Sequence, residues 1–126
     1  MALLTRLVAA SCSRPSSSAV TVDRRDPESV VRGYFDAWER SDWPAQVSFM
    51  SGTYANMAPE PADSLRVVEI HRLKESSATV ARYRVVFDIK VQGEGVSMSS
   101  GRCDWTYDLT WDADRGSWLI TNYGAG

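Results

Sequence analysis

Two stretches of strict apolar–polar alternation constrain this chain more than any other feature. From Ala81 onward Tyr83, Val85, Phe87, Ile89 and Val91 share one parity, with Arg82, Arg84, Asp88 and Lys90 between them. Cys103, Trp105, Tyr107, Leu109 and Trp111 repeat the pattern, interleaved with Arg102, Asp104, Thr106, Asp108, Thr110 and Asp112. A period of two held this long marks half-buried β-strands well above average length. Gln92-Gly93-Glu94-Gly95 supplies a turn between them. Of two neighbouring hairpin registers, one sets Arg84 opposite Asp104. The other sets Arg82 opposite Asp108 and Asp88 opposite Arg102. Either way opposite charges meet on the outer face, each pair contributing a few tenths of a kcal/mol, roughly.

The other strands are shorter or less regular. Ser64 to Leu73 is a first strand with untidy alternation, and Ser117 to Tyr123 a last one after the loop Ala113-Asp114-Arg115-Gly116. Ahead of the sheet, Asp26-Pro27-Glu28 reads as an N-cap, a first-turn proline and an acidic residue at the positive end of a helix dipole. Val30, Val31, Tyr34, Phe35 and Trp38 then make one helical stripe, predicting a helix over 27–41 with Asp36 on its outer side. Gly33 lowers helix propensity by about 1 kcal/mol relative to alanine, which points to close packing there. Asp42 caps a second, short helix with Pro44 in its first turn and Val47 and Met50 on one side. Residues 51–63 read as loop with room for one helical turn. Trp43 sits at the corner between the helices, where exposure would mark a partner surface.

One stripe and one greasy sheet face must cover each other. The expected fold is therefore α+β: amino-terminal helices packed on a strongly curved, cone-like, antiparallel four-stranded sheet.

Composition narrows the function. The chain has 126 residues, 44% of them hydrophobic, and a net charge of −2. One domain of this size can bury its own core. No basic excess exists to neutralise phosphates, so nucleic-acid binding is not expected. Two Cys and one His cannot make an ordinary structural zinc site. Alternate residues on one strand lie about 6.5–7 Å apart, so Asp104, Asp108 and Asp112, farther apart still, cannot converge on one ion. No metal and no cofactor is expected.

Residues 1–25 read as a signal-like segment and a Ser-rich tether, and 26–126 as the folded domain. Leu3, Leu4, Leu7 and Val8 are too few to span a membrane. Ala9-Ala10-Ser11-Cys12, followed by a Ser/Pro tract, reads as a lipoprotein signal with Cys12 as the lipidation candidate. On that reading the chain is extracytoplasmic, secreted or held to a membrane through a lipid alone. Cys103 falls on the apolar face as a small hydrophobe.

The chain resembles the nuclear transport factor 2-like (cystatin-like α+β) superfamily. The residues that carry the resemblance are Asp26-Pro-Glu-x-Val-Val-x-x-Tyr-Phe-x-Ala-Trp38, the break Ser41-Asp42-Trp43 and the ending Asp114-Arg-Gly-Ser-Trp118-Leu-Ile. It looks closest to uncharacterised bacterial lipoprotein domains. These are packing motifs, and they cover 26–123. The resemblance implies a cone that can hold a ligand, dimerisation through the sheet, and, in its enzymatic branches, an acid or His inside the cone. Here the inward positions carry neither. His71, the sole His, shares a strand with Glu69, and a structural His explains it best.

The reading is therefore a non-catalytic domain that binds a small apolar ligand or a protein partner. The candidate pocket lining is Tyr34, Trp38, Tyr83, Phe87, Trp105, Tyr107 and Trp111, with no catalytic residue assigned. One rival is a small isomerase- or cyclase-like enzyme with Tyr107 as donor. Another is a purely structural accessory domain, its aromatics serving only as core.

Overall fold

The structure is a computed structural model, and it describes residues 21–52, 61–74, 76–91 and 100–125. Cys12, the turn at Gln92–Gly95 and most of the 51–63 loop lie outside those residues. Two helices, α1 (Pro27–Glu39) and α2 (Trp43–Val47), precede four strands. These are β1 (Ala62–Arg72), β2 (Val80–Val91), β3 (Gly101–Asp112) and β4 (Ser117–Ala125). The strands form one antiparallel meander in sequence order, with α1 across its inner face. The architecture is the α+β arrangement that the alternation demands.

Helix α1 starts as its sequence dictates: the Asp26 carboxylate accepts from the Glu28 N–H at 3.1 Å, with Pro27 in the first turn. It stops at Glu39, two residues before the expected end. Ser41 takes a left-handed φ of 56°. There the Ser41 N–H bonds the Trp38 carbonyl and the Asp42 N–H bonds that of Ala37. This is a Schellman cap with serine at the position glycine usually holds. Gly33 lies where the chain packs tightest. A Cβ there would stand 2.7 Å from Val22 Cγ2 and 2.9 Å from Phe49 Cζ. Val22 and Arg24 thus pack on the body ahead of Asp26. Arg24 lies 4.5 Å over the Phe49 ring and donates to Ser48 O and Oγ.

The β2–β3 ladder adopts the register with Arg82 opposite Asp108 and Asp88 opposite Arg102. Both pairs form salt bridges, at 2.7 and 2.8 Å. Arg84 also reaches Asp104 diagonally, so all three expected pairs coexist on the outer face. Arg66 of β1 joins Asp88 at 3.2 Å. The untidy alternation of β1 has a physical cause. Register shifts between Ala62 and Ser64 and between Val67 and Glu69 each insert one extra residue. They bring Ala62, Leu65, Val67 and Ile70 to the inner side although their numbers change parity. The Val68 bulge leaves that side chain 42% exposed.

Candidate site in the aromatic cone

The inner layer is a continuous block of rings. Phe35 meets Phe87 at 5.0 Å and Tyr107 at 5.2 Å between centroids, Trp38 meets Phe87 at 5.7 Å, and Tyr34 meets Tyr107 at 5.8 Å. Of the candidate residues, Tyr34, Trp38, Tyr83, Phe87 and Tyr107 are buried, and Trp105 and Trp111 are half-buried. Trp111 pairs edge-on with Trp118, and Tyr83 lies under the Arg72 guanidinium. The helix stripe and the strand parity bring all seven to one side of the sheet.

Two features give this block chemical direction. Trp105, Tyr107 and Tyr123 form a stack, with Trp105 and Tyr123 only 13° from parallel at 5.9 Å. Trp105 and Tyr123 are half-buried, so the stack runs from the closed interior toward solvent. The second feature is a pair of interior polar groups. The Tyr107 hydroxyl and the Gln46 amide nitrogen are both buried, and neither has a hydrogen-bond partner among the described residues. The Gln46 side chain bonds the Tyr34 hydroxyl, which places Gln46 beside the same rings. Burial raises the Tyr34 phenol well above its ordinary range. Burial, with Tyr34 and Tyr123 nearby, raises Tyr107 likewise. Both tyrosines are therefore neutral donors at physiological pH.

Gln46 was not legible as a site residue. The sequence placed Val47 and Met50 on the packed side of α2, but Gln46 is the buried residue of that five-residue helix and Val47 is half-buried. A single turn offers no period from which to read a face. The Asp42 cap and the bond from the Gln46 N–H to the Asp42 carbonyl set the orientation instead.

The other singled-out residues lie elsewhere. His71 is exposed on the outer face opposite Arg84, with Glu69 on the same side. Asp36 is held by Arg40 at 2.9 Å. Cys103 is half-buried on the inner face, its thiol pushed up by burial and by Asp88. Trp43 is half-buried. Apart from the tyrosines, the buried polar side chains among the described residues are Gln46 and Ser117. Ser117 satisfies itself on the Trp118 carbonyl. Among the described residues, no His/Cys/Asp/Glu group has metal-site geometry.

Two open grooves flank the block on the β1 side, of about 480 and 330 Å³. Neither is lined by any of the seven candidate residues.

Comparisons with known proteins follow the sheet. A family model described as a domain of unknown function (DUF4829) matches residues 62–124, half of the chain and essentially all four strands. No curated protein matches. A SEC-C motif containing protein from Rhodopseudomonas palustris superposes with a TM-score of 0.58 at 12% identity, covering 82% of this chain and 80% of that one. That likeness shows a common fold. Two provisionally assigned polyketide cyclases superpose more loosely. The one from Xanthomonas campestris has a TM-score of 0.40 and 15% identity, over 79% of this chain and 91% of its own. The one from Pseudomonas putida has 0.41 and 16%, over 76% and 89%.

Proposed function

The chain belongs to the DUF4829 family, and from that premise we propose that it is a non-catalytic ligand-binding domain of the nuclear transport factor 2-like type. Its cone takes a flat apolar molecule that carries a hydrogen-bond acceptor. The observation that supports this is two buried donors without a partner among the described residues, Tyr107 Oη within the aromatic stack and Gln46 Nε2 on a side chain beside Tyr34. A buried donor without a partner costs about 1–3 kcal/mol, and a core built only for stability would carry phenylalanine and leucine there. A ligand carbonyl would accept from both groups while its ring lies against Trp105 and Tyr123. The stack provides offset aromatic contact, worth roughly 0.5–1.5 kcal/mol beyond burial for each ring pair.

An isomerase or cyclase needs a base in the same place. No carboxylate or imidazole is buried among the described residues, and the phenols are held neutral. Among the described residues the cone offers donors and no buried carboxylate or imidazole to accept a proton, which favours binding over turnover.

The test compares 2-acetylnaphthalene with naphthalene by ligand-detected NMR on the full chain. The ketone should bind about tenfold more tightly, the equivalent of one hydrogen bond of about 1.4 kcal/mol. Tyr107→Phe combined with Gln46→Leu should erase the difference. Equal affinities in the unmodified protein, or no binding of either probe, would contradict the reading.

A further inference from the structure

The polar interior of the cone is one-sided in charge. Apart from Arg6 and Arg14, every Lys and Arg of the chain lies among the described residues, as does His71, and none of them is buried. Arg24 and Arg72 lie over the rings of Phe49 and Tyr83, and neither ring belongs to the stack of Trp105, Tyr107 and Tyr123. The arginines of the sheet's outer face are held by Asp88, Asp104 and Asp108. The ionisable groups whose charge acts on the Tyr107 hydroxyl are Tyr34, Tyr123 and Cys103. All three are acids, which can turn negative and never positive. Among the described residues the cone thus gathers three phenols, a thiol and an amide, and no cation.

Such a set treats a neutral and an ionised acceptor differently. A carbonyl oxygen sheds few waters on entering and gains the Tyr107 and Gln46 donors in return. A carboxylate or phenolate must shed a full hydration shell. Two neutral donors strengthen toward an anion, but they do not replace that shell, and without a cation the buried charge stays uncompensated. The protein's own oxygens carry the same bias. Burial drives the Tyr34 and Tyr107 phenols upward, so the negative form of an oxygen held here is disfavoured against the neutral one. A ligand oxygen beside Tyr107 meets the same surroundings.

We propose that the cone sorts ligands by charge: it takes an aromatic compound whose carbonyl is uncharged, a ketone or an amide, and excludes the carboxylate or phenolate borne on the same ring. Such sorting presupposes that the cone binds at all, and so rests on the function proposed above.

The probes are 2-naphthamide and 2-naphthoate, two naphthalenes of nearly the same shape, one neutral and the other ionised at about pH 7. Each competes with 2-acetylnaphthalene for the unmodified full chain, and ligand-detected NMR follows the ketone. Displacement is the readout because an anion can also settle on surface arginines. The amide should displace the ketone, and naphthoate should need about tenfold more to do the same, or fail. Naphthoate that displaces the ketone as well as the amide does would overturn the sorting and leave the cone reading in place. So would an amide as ineffective as naphthoate. A chain that binds no ketone would overturn both.

Discussion

The two faces of the sheet are built from the same strands but hold together in different ways. On the inner face aromatic rings meet one another away from water, and each substitution there removes both burial and packing. On the outer face arginines and aspartates meet in pairs that water screens. Val86 shows where the two regimes touch. It lies on the outer face between Arg84 and Asp88, with Glu69 and Asp104 opposite it on the flanking strands, yet it is buried. Long charged side chains can cover apolar surface as well as pair.

The largest break in this contrast comes from Phe87, which contacts Phe35, Trp38 and Trp105 with no exposed surface. Phe87→Ala should cost about 3–5 kcal/mol, read as a lowered denaturant midpoint. Gly33→Ala probes the helix side of the same layer. The added methyl would collide with Val22 and Phe49, and the overpacking of about 1–3 kcal/mol should outweigh the helix-propensity gain of about 1 kcal/mol. Net destabilisation by urea titration is expected. Tyr107→Phe should do the opposite and stabilise the ligand-free protein by about 1 kcal/mol, because it removes an unpartnered buried hydroxyl.

Alkaline titration sharpens the same point. Tyr34 and Tyr107 are raised above the ordinary phenol value of 10.0. Their contribution is fully present below about pH 10 and is lost as pH rises from there toward their raised values. Tyr107→Phe should flatten that alkaline limb. The smallest effect belongs to the outer face. Arg84 holds the Asp104 carboxyl below its usual range. The stabilisation it gives is present above the ordinary carboxylate pKa and is lost as pH falls through the lowered value. Asp104→Asn should therefore soften the acid limb of unfolding and leave neutral stability nearly unchanged.

How much was legible follows from period and length. The long strands β2 and β3 announced their faces, narrowed their register to two neighbouring choices and named the three ion pairs, since alternation over many residues averages out local noise. The apolar face likewise named the aromatic side chains that form the cone. Strand β1 was legible only as a strand, because bulges erase parity and a bulge has no simple sequence mark. The early stop of α1 rested on Ser41 adopting a conformation that glycine normally marks. Gln46 escaped because one turn of helix has no period to read. The grooves beside β1 depend on how α1 crosses the sheet, a tertiary property that no local pattern encodes.

The central claim is that the aromatic stack and the two buried donors form one binding place. Isotope-filtered NOE spectra of the labelled chain with 2-acetylnaphthalene test it most directly. Cross-peaks are expected from the ketone methyl to Tyr34, Gln46 and Tyr107, and from the ring to Trp105 and Tyr123. Cross-peaks only to Leu65, Val67 and Ile70, or none at all, would contradict it.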